Sequence, residues 1–434
     1  MLHTVKLSKI NRFFIFYVCI SLLTSLPILA QTTYVSNTDE SKVPPYTLPD
    51  VLKMPNGKQV ANITEWKSIQ RPYLYHLYEV NQFGRYPAKK PAIHYRVLEI
   101  NHDALDGLAT RKQVRIYLHA TDSTVYTDVL LYLPNQIKRP VPVFVGLNFF
   151  GNQATQNDKG ILLTQKWVQP KTKGAVNNKA TDSSRGMEAS QWQVKEILSH
   201  GYGVATAYCG DMEPDNPDGW KTGIRSSLQN VLQIKPEEWT CMGAWAYGLS
   251  RIYDYFLMDK NIDAQKVAII GHSRLGKAAL WAAASDKRFA LVISNESGEG
   301  GATLSKRWYG ETVKIITDKF PHWFMPRYKA YGDSVNALPV DGHILLSLIA
   351  PRPLYVASAE GDTWSDPRGE FLSAKEAGKV YALFGKKGIE LEHMPGLHQS
   401  VGQTIRYHIR AGRHDVTLYD WQQYLQFADA QWNR

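Results

Sequence analysis

Apolar and polar positions divide the chain into strand-sized and helix-sized runs. Val114 to His119 and Tyr126 to Leu133 alternate with period two, as antiparallel strands near a sheet edge do. Pro142 to Asn148 is a continuous apolar run that suits a strand buried on both faces. Further strands are expected at Gly203 to Cys209, within Lys266 to Ile270, at Phe289 to Ser294, at Pro353 to Ala357 and at Thr404 to Arg410. Between them, helices are expected over Met187 to His200, over Met242 to Asp259 with an apolar side around Trp245, Leu249, Ile252, Tyr253 and Phe256, and over Val416 to Trp432. Strands that alternate with helices in this way predict an α/β, doubly wound fold with a mostly parallel central sheet and inserted loops. The polar stretch 152–185 has weak periodicity and reads as one such loop.

The ends of the chain read differently. Residues 1–30 combine Lys6, Lys9 and Arg12 with an apolar run from Phe13 to Leu23 and a small residue at Ala30, the pattern of an export signal cleaved near Ala30. Residues 31–110 read as an N-terminal extension with one helix packed on the main body, and 111–434 as the catalytic domain. The tyrosine-rich stretch Arg71 to Val80 is expected to serve packing rather than binding. The net charge of +10 is spread without a long basic run, which argues against nucleic acid as a partner. No CxxC or HExxH pattern occurs, so neither metal nor cofactor is expected. Beyond the signal only Cys209 and Cys241 remain, enough for one disulfide.

Candidate chemistry centres on Gly271 His272 Ser273 Arg274 Leu275 Gly276, where an apolar strand passes through a glycine-bracketed serine into Ala/Leu-rich helix formers. That is the layout of a nucleophile elbow, with the second glycine one place later than in G-x-S-x-G. A serine hydroxyl needs a base to take its proton and an acid to orient the base. His414 follows the last strand and is favoured as base over His398, which precedes it. Two acids fit the chain order, Glu296 after the strand next to the elbow and Asp362 after the following one, and either could reach His414. Residues 149–152 follow the buried strand where hydrolases of this architecture carry oxyanion donors, though a plain turn fits equally.

The serine motif resembles the G-C-S-R-x-G motif of the glucuronoyl esterases, with His272 in place of Cys; the likeness runs from about Trp66 to the C-terminus and places the chain nearest the bacterial branch. That resemblance implies an α/β-hydrolase fold, a three-layer sandwich, and cleavage of esters joining 4-O-methyl-glucuronic acid on xylan to lignin-type alcohols. It implies Ser273 as nucleophile, His414 as base and then acid, Glu296 as orienting acid with Asp362 supporting or replacing it, and Arg274 as oxyanion stabiliser. Lys277, Glu311 and Trp364 then resemble residues that hold the sugar, although Lys277 also reads as a solvated helix residue. Expected partners are glucuronoxylan and lignin–carbohydrate esters, with no stable membrane insertion, a monomeric state and a secreted or periplasmic location. Asn295 and Asn62 both head glycosylation sequons, and a glycan on Asn295 would crowd the proposed acid, a conflict absent in a bacterial envelope. The rival readings are a carbohydrate acetyl esterase or general carboxylesterase on the same fold, and a carbohydrate-binding protein without chemistry.

Overall fold

The computed structural model describes residues 36–138, 140–170 and 172–432, so the expected export signal lies outside the described residues. Residues 36–434 form one compact unit. A helical run over 63–83, containing α1 (Arg71–Tyr78), precedes strands β1 (His94–Ala104), β2 (Ala109–Tyr117), β3 (Tyr126–Pro134) and β4 (Val141–Asn148). After the 152–185 loop come α2 (Val194–Ser199), β5 (Gly203–Tyr208), α3 (Cys241–Phe256), β6 (Ile262–His272), α4 (Arg274–Ser285) and β7 (Leu291–Asn295). An insertion holding α5 (Val313–Lys319) leads to β8 (Leu354–Ala359), α6 (Pro367–Leu383), β9 (Val401–Gly402), β10 (Ile405–Arg410) and α7 (Leu418–Trp432).

These ten strands make one sheet in the order β1-β2-β3-β5-β4-β6-β7-β8-β10-β9. The pairs from β5 through β10 are parallel, and the first three strands and β9 are antiparallel additions at the edges. One face is covered by α1, α3, α4 and α6, the other by α2 and α7, and the two faces carry separate buried apolar clusters. This is the three-layer α/β-hydrolase sandwich.

The covering of α4 explains the tyrosine-rich stretch. Tyr75 and Phe83 each stack on Trp281 with ring centroids 4.8 Å apart, and Tyr86 meets it edge-on. The N-terminal aromatics therefore seal the helix that starts at the elbow, which is why α4 is buried from Leu275 to Ala284.

The helices α5 and α6 and the short β9 were not expected, and two further elements differ in a way the contacts explain. The helix expected over 187–200 is only α2, six residues long. Its first half is drawn open because the carbonyls of Gln191 and Trp192 accept from Trp421 Nε1 and Gln156 Nε2 instead of from the next turn. Strand β1 was not foreseen and lies before residue 111, yet it extends the main sheet. It is an edge strand, largely exposed, and its alternation, Tyr95 and Val97 then Leu98 and Ile100, is broken by the register shift between Val97 and Glu99.

Candidate active site

The elbow is a consequence of strand, strain and close approach. Strand β6 ends at His272, Ser273 adopts φ 55° and ψ −130°, and α4 begins at Arg274. A non-glycine residue with positive φ is strained, and here it lifts the serine out at the C-terminal edge of the sheet. The flanking glycines are steric requirements. A Cβ on Gly271 would lie 2.1 Å from the Leu275 carbonyl oxygen, and one on Gly276 would lie 2.9 Å from Ser297 Cβ. The late glycine thus lets α4 approach the loop that follows β7.

Ser273 shares a cleft of about 370 Å³ with Arg274, Lys277, Glu296, Glu311, Lys319, Trp323, Asp362, Trp364 and His414. Every site residue expected from the sequence therefore lines one cavity. His398 does not. It takes a long hydrogen bond from the Ala411 amide and packs edge-on against Tyr419.

Both candidate acids reach His414. Nδ1 stands 2.6 Å from Asp362 Oδ2 and 3.0 Å from Glu296 Oε2. The acids follow adjacent parallel strands, in which Asn295 pairs with Ala357, so their loops reach the same sheet edge. Burial disfavours ionisation of Asp362, but the hydrogen bond and charge of His414 hold its carboxyl below the usual range. Burial pushes Glu296 up to about 7 against the pull of His414 and Arg410. The imidazole itself is partly buried, which opposes its charge, yet the two carboxylates raise it to about 9. Arg410 donates to Glu296 Oε1 at 2.6 Å and to Asp420, anchoring Glu296 from behind.

His272 is a neutral wall of the site. Its Nδ1 lies 2.6 Å from Asn295 Oδ1, and burial together with the charge of His414 drops it to about 3. One atom each of His272, Glu296 and His414 falls within 4.8 Å of the others. The two rings lie 4.4 Å apart, and both Nδ1 atoms are already engaged, that of His272 by Asn295 and that of His414 by the two carboxylates.

In the loop after β4 two amides have partners. The Phe149 amide bonds to the buried Glu188 carboxyl and the Gly151 amide donates to Asn148 Oδ1. Arg274 stands instead beside the serine. It lies over the rings of Trp323, Phe320 and Phe149 at 4.8, 5.5 and 5.6 Å. Lys277 is buried, not a solvated helix residue, and burial lowers it while Glu311 pulls the other way. Burial raises Glu311, whose amide is tied to the Trp364 carbonyl at 2.8 Å. Trp364 is partly exposed, with Lys319 4.6 Å from its ring centroid.

The model of fungal glucuronyl esterases matches residues 232–385, from before the elbow to beyond Asp362. Carbohydrate esterase MZ0003, from an unknown prokaryotic organism, is 46% identical over 396 residues, which are 91% of this chain and 91% of that relative. The solved glucuronoyl esterase from Solibacter usitatus is 49% identical, with a TM-score of 0.85 over 90% of this chain and 100% of that one. The chain belongs to the glucuronoyl esterase family. Among fungal relatives, 4-O-methyl-glucuronoyl methylesterase 1 of Phanerochaete chrysosporium is 34% identical over 157 residues, 34% of this chain and 33% of that protein.

The family's members are carboxylic-ester hydrolases, so this chain is an enzyme. Several residues of this glucuronoyl esterase's site were not singled out from sequence. Arg410 read as the end of a strand, and Lys319, Phe320 and Asp215 fell in segments to which no element was assigned; only their tertiary neighbours reveal them. Cys209 and Cys241 are both free, buried thiols. Asn295 is fully buried and donates to Tyr424 OH at 2.8 Å, which leaves no room for a glycan there.

Proposed function

We propose that this esterase cleaves esters of (4-O-methyl-)glucuronic acid on xylan through an acyl-enzyme on Ser273. The observation that carries the reading is the cleft itself, in which the elbow serine, a doubly held His414 and the two cations Arg274 and Lys277 meet. His414 Nε2 takes the Ser273 proton as Oγ attacks the ester carbonyl. The carbonyl oxygen becomes an oxyanion beside Arg274, whose backbone amide at the start of α4 and guanidinium stabilise it. Collapse breaks the bond to the alcohol oxygen, and His414 returns the proton to that leaving group. Water then repeats the sequence on the acyl-enzyme and frees the uronic acid.

Lys277, Glu311 and Trp364 are assigned to the sugar. A partly exposed indole offers a face to a pyranose ring, and buried Lys277 and Glu311 on the same cleft offer a donor and an acceptor to its hydroxyls. The uronate ester as substrate agrees with the name of the fungal relative, and the leaving alcohol is assigned as lignin-type. The N-terminal 30 residues support export to the periplasm or beyond. Among the described residues, no helix is long and apolar enough to cross a membrane.

The test is hydrolysis of benzyl glucuronate and of an aryl acetate by the wild type and Ser273→Ala. Preference for the uronate ester, lost with the serine, is expected. Turnover of the acetate alone would move the substrate to the acetyl-ester class.

A further inference from the structure

An oxyanion arginine poses a problem that a backbone amide does not. Its side chain has four rotatable bonds, and a guanidinium that swings gains nothing in the transition state unless it is already aimed. The aromatic faces of Trp323, Phe320 and Phe149 attract the cation but do not fix its rotation in the plane. A directional bond is needed.

Asp215, in the loop after β5, supplies one. Its Oδ2 accepts from Arg274 Nη1 at 2.6 Å and from Gln169 Nε2 at 3.2 Å. Its Oδ1 accepts from His322 Nε2 at 2.8 Å and from Trp323 Nε1 at 2.7 Å. The side chain is 5% exposed. Four separate segments therefore meet on one buried carboxylate: the 152–185 loop, the loop after β5, the elbow helix and the insertion. The same Trp323 that is held by Asp215 is the ring nearest to Arg274. With Nη1 engaged on Asp215, Nε–H of Arg274 is buried and has no hydrogen-bond partner among the described residues. A buried unmatched donor is costly, and it is tolerated where an acceptor arrives during the reaction.

We propose that Asp215 is a positioning residue for ester hydrolysis: it holds Arg274 through Nη1 and braces the Trp323 wall, so that the opposite edge of the guanidinium stays turned to the forming oxyanion. This rests on the reading of Arg274 as the oxyanion group. The sign of the effect is diagnostic. Asp215 carries a negative charge beside that cation, and through-space electrostatics alone would make its neutralisation speed the reaction. Positioning predicts the opposite.

The experiment is a double-mutant cycle on benzyl glucuronate with Asp215→Asn, Arg274→Ala and the pair, with folding followed by thermal denaturation. Asp215→Asn is expected to lower kcat about 10- to 100-fold with KM changed less than about threefold, the loss of one charge-assisted hydrogen bond expressed in the transition state. The double variant should be no slower than Arg274→Ala. Unchanged or faster kcat in a folded Asp215→Asn, or additive losses in the pair, would overturn the assignment while leaving Arg274 in place. Full activity of Arg274→Ala would instead remove the oxyanion reading beneath it. If Asp215→Asn does not fold, Asp215→Glu keeps the charge but displaces it by one methylene. An intermediate kcat loss at constant KM then supports positioning, and wild-type kcat rejects it.

Discussion

In the proposed mechanism His414 is the base, and two carboxylates face one of its nitrogens. Since Nδ1 lies 2.6 Å from Asp362 and 3.0 Å from Glu296, each acid can cover partly for the other. Asp362→Asn and Glu296→Gln are each expected to leave measurable turnover, and the double variant to fall by about a further 10²-fold or more; equal rates for the double and either single would show that one acid acts alone. The same pair sets the pH response. A base must be unprotonated, and His414 is raised to about 9, so kcat/KM should climb with pH through an apparent value near 9. Removing one carboxylate returns the imidazole towards its ordinary value near 6.5, and the rising limb of Asp362→Asn should therefore move to lower pH. A pH–rate profile of the two proteins checks both the position and the direction. At the oxyanion, Arg274→Ala should cost about 10²- to 10³-fold in kcat with little change in KM, measured by steady-state kinetics. The serine, the histidine and both acids were legible because chemistry restricts them to polar residues after successive strands. Asp215 and Arg410 were not, since a buried carboxylate or arginine at a strand or loop end looks like any surface charge until its partners are known.

Elements carry the geometry that these side chains need. The elbow depends on a strand and a helix too close for any side chain at Gly271, whose added Cβ would lie 2.1 Å from the Leu275 carbonyl. Gly271→Ala is expected to destabilise the fold by about 2–3 kcal/mol and to abolish turnover by moving Ser273, with thermal denaturation and benzyl glucuronate hydrolysis as the readouts. The strand positions were readable from apolar runs because parallel strands covered on both faces have little polar sequence. The edge strand β1 and the shortened α2 were not readable. One alternates in two halves put out of step by a register shift, and the other gives up helical hydrogen bonds to distant side chains that its own pattern does not announce.

Across the described residues, segments distant in sequence back the wall of the cleft. Residues 36–42 run against the insertion: the Gly310 amide donates to the Asn37 carbonyl, Tyr309 OH donates to the Thr38 carbonyl, and Arg307 joins Glu40 to the buried Asp366. The first of these contacts sits one residue from Glu311. Deleting 36–42 is expected to raise KM for benzyl glucuronate several-fold with a smaller effect on kcat, because the sugar-facing wall loses its backing while the triad keeps its own supports. An unchanged KM would separate the strap from the site. The sequence by itself determined the layered α/β fold, the elbow and the polar groups that serve it, because burial periodicity, strained turns and reactive side chains are local constraints written in residue type. Tertiary structure decided that two acids share one histidine, that Lys277 is buried, and that Asp215 accepts a hydrogen bond from Arg274. Those facts depend on which loops meet at the C-terminal edge of the sheet, and contact between residues as far apart as Asp215 and His322 leaves no mark in the pattern of either segment alone.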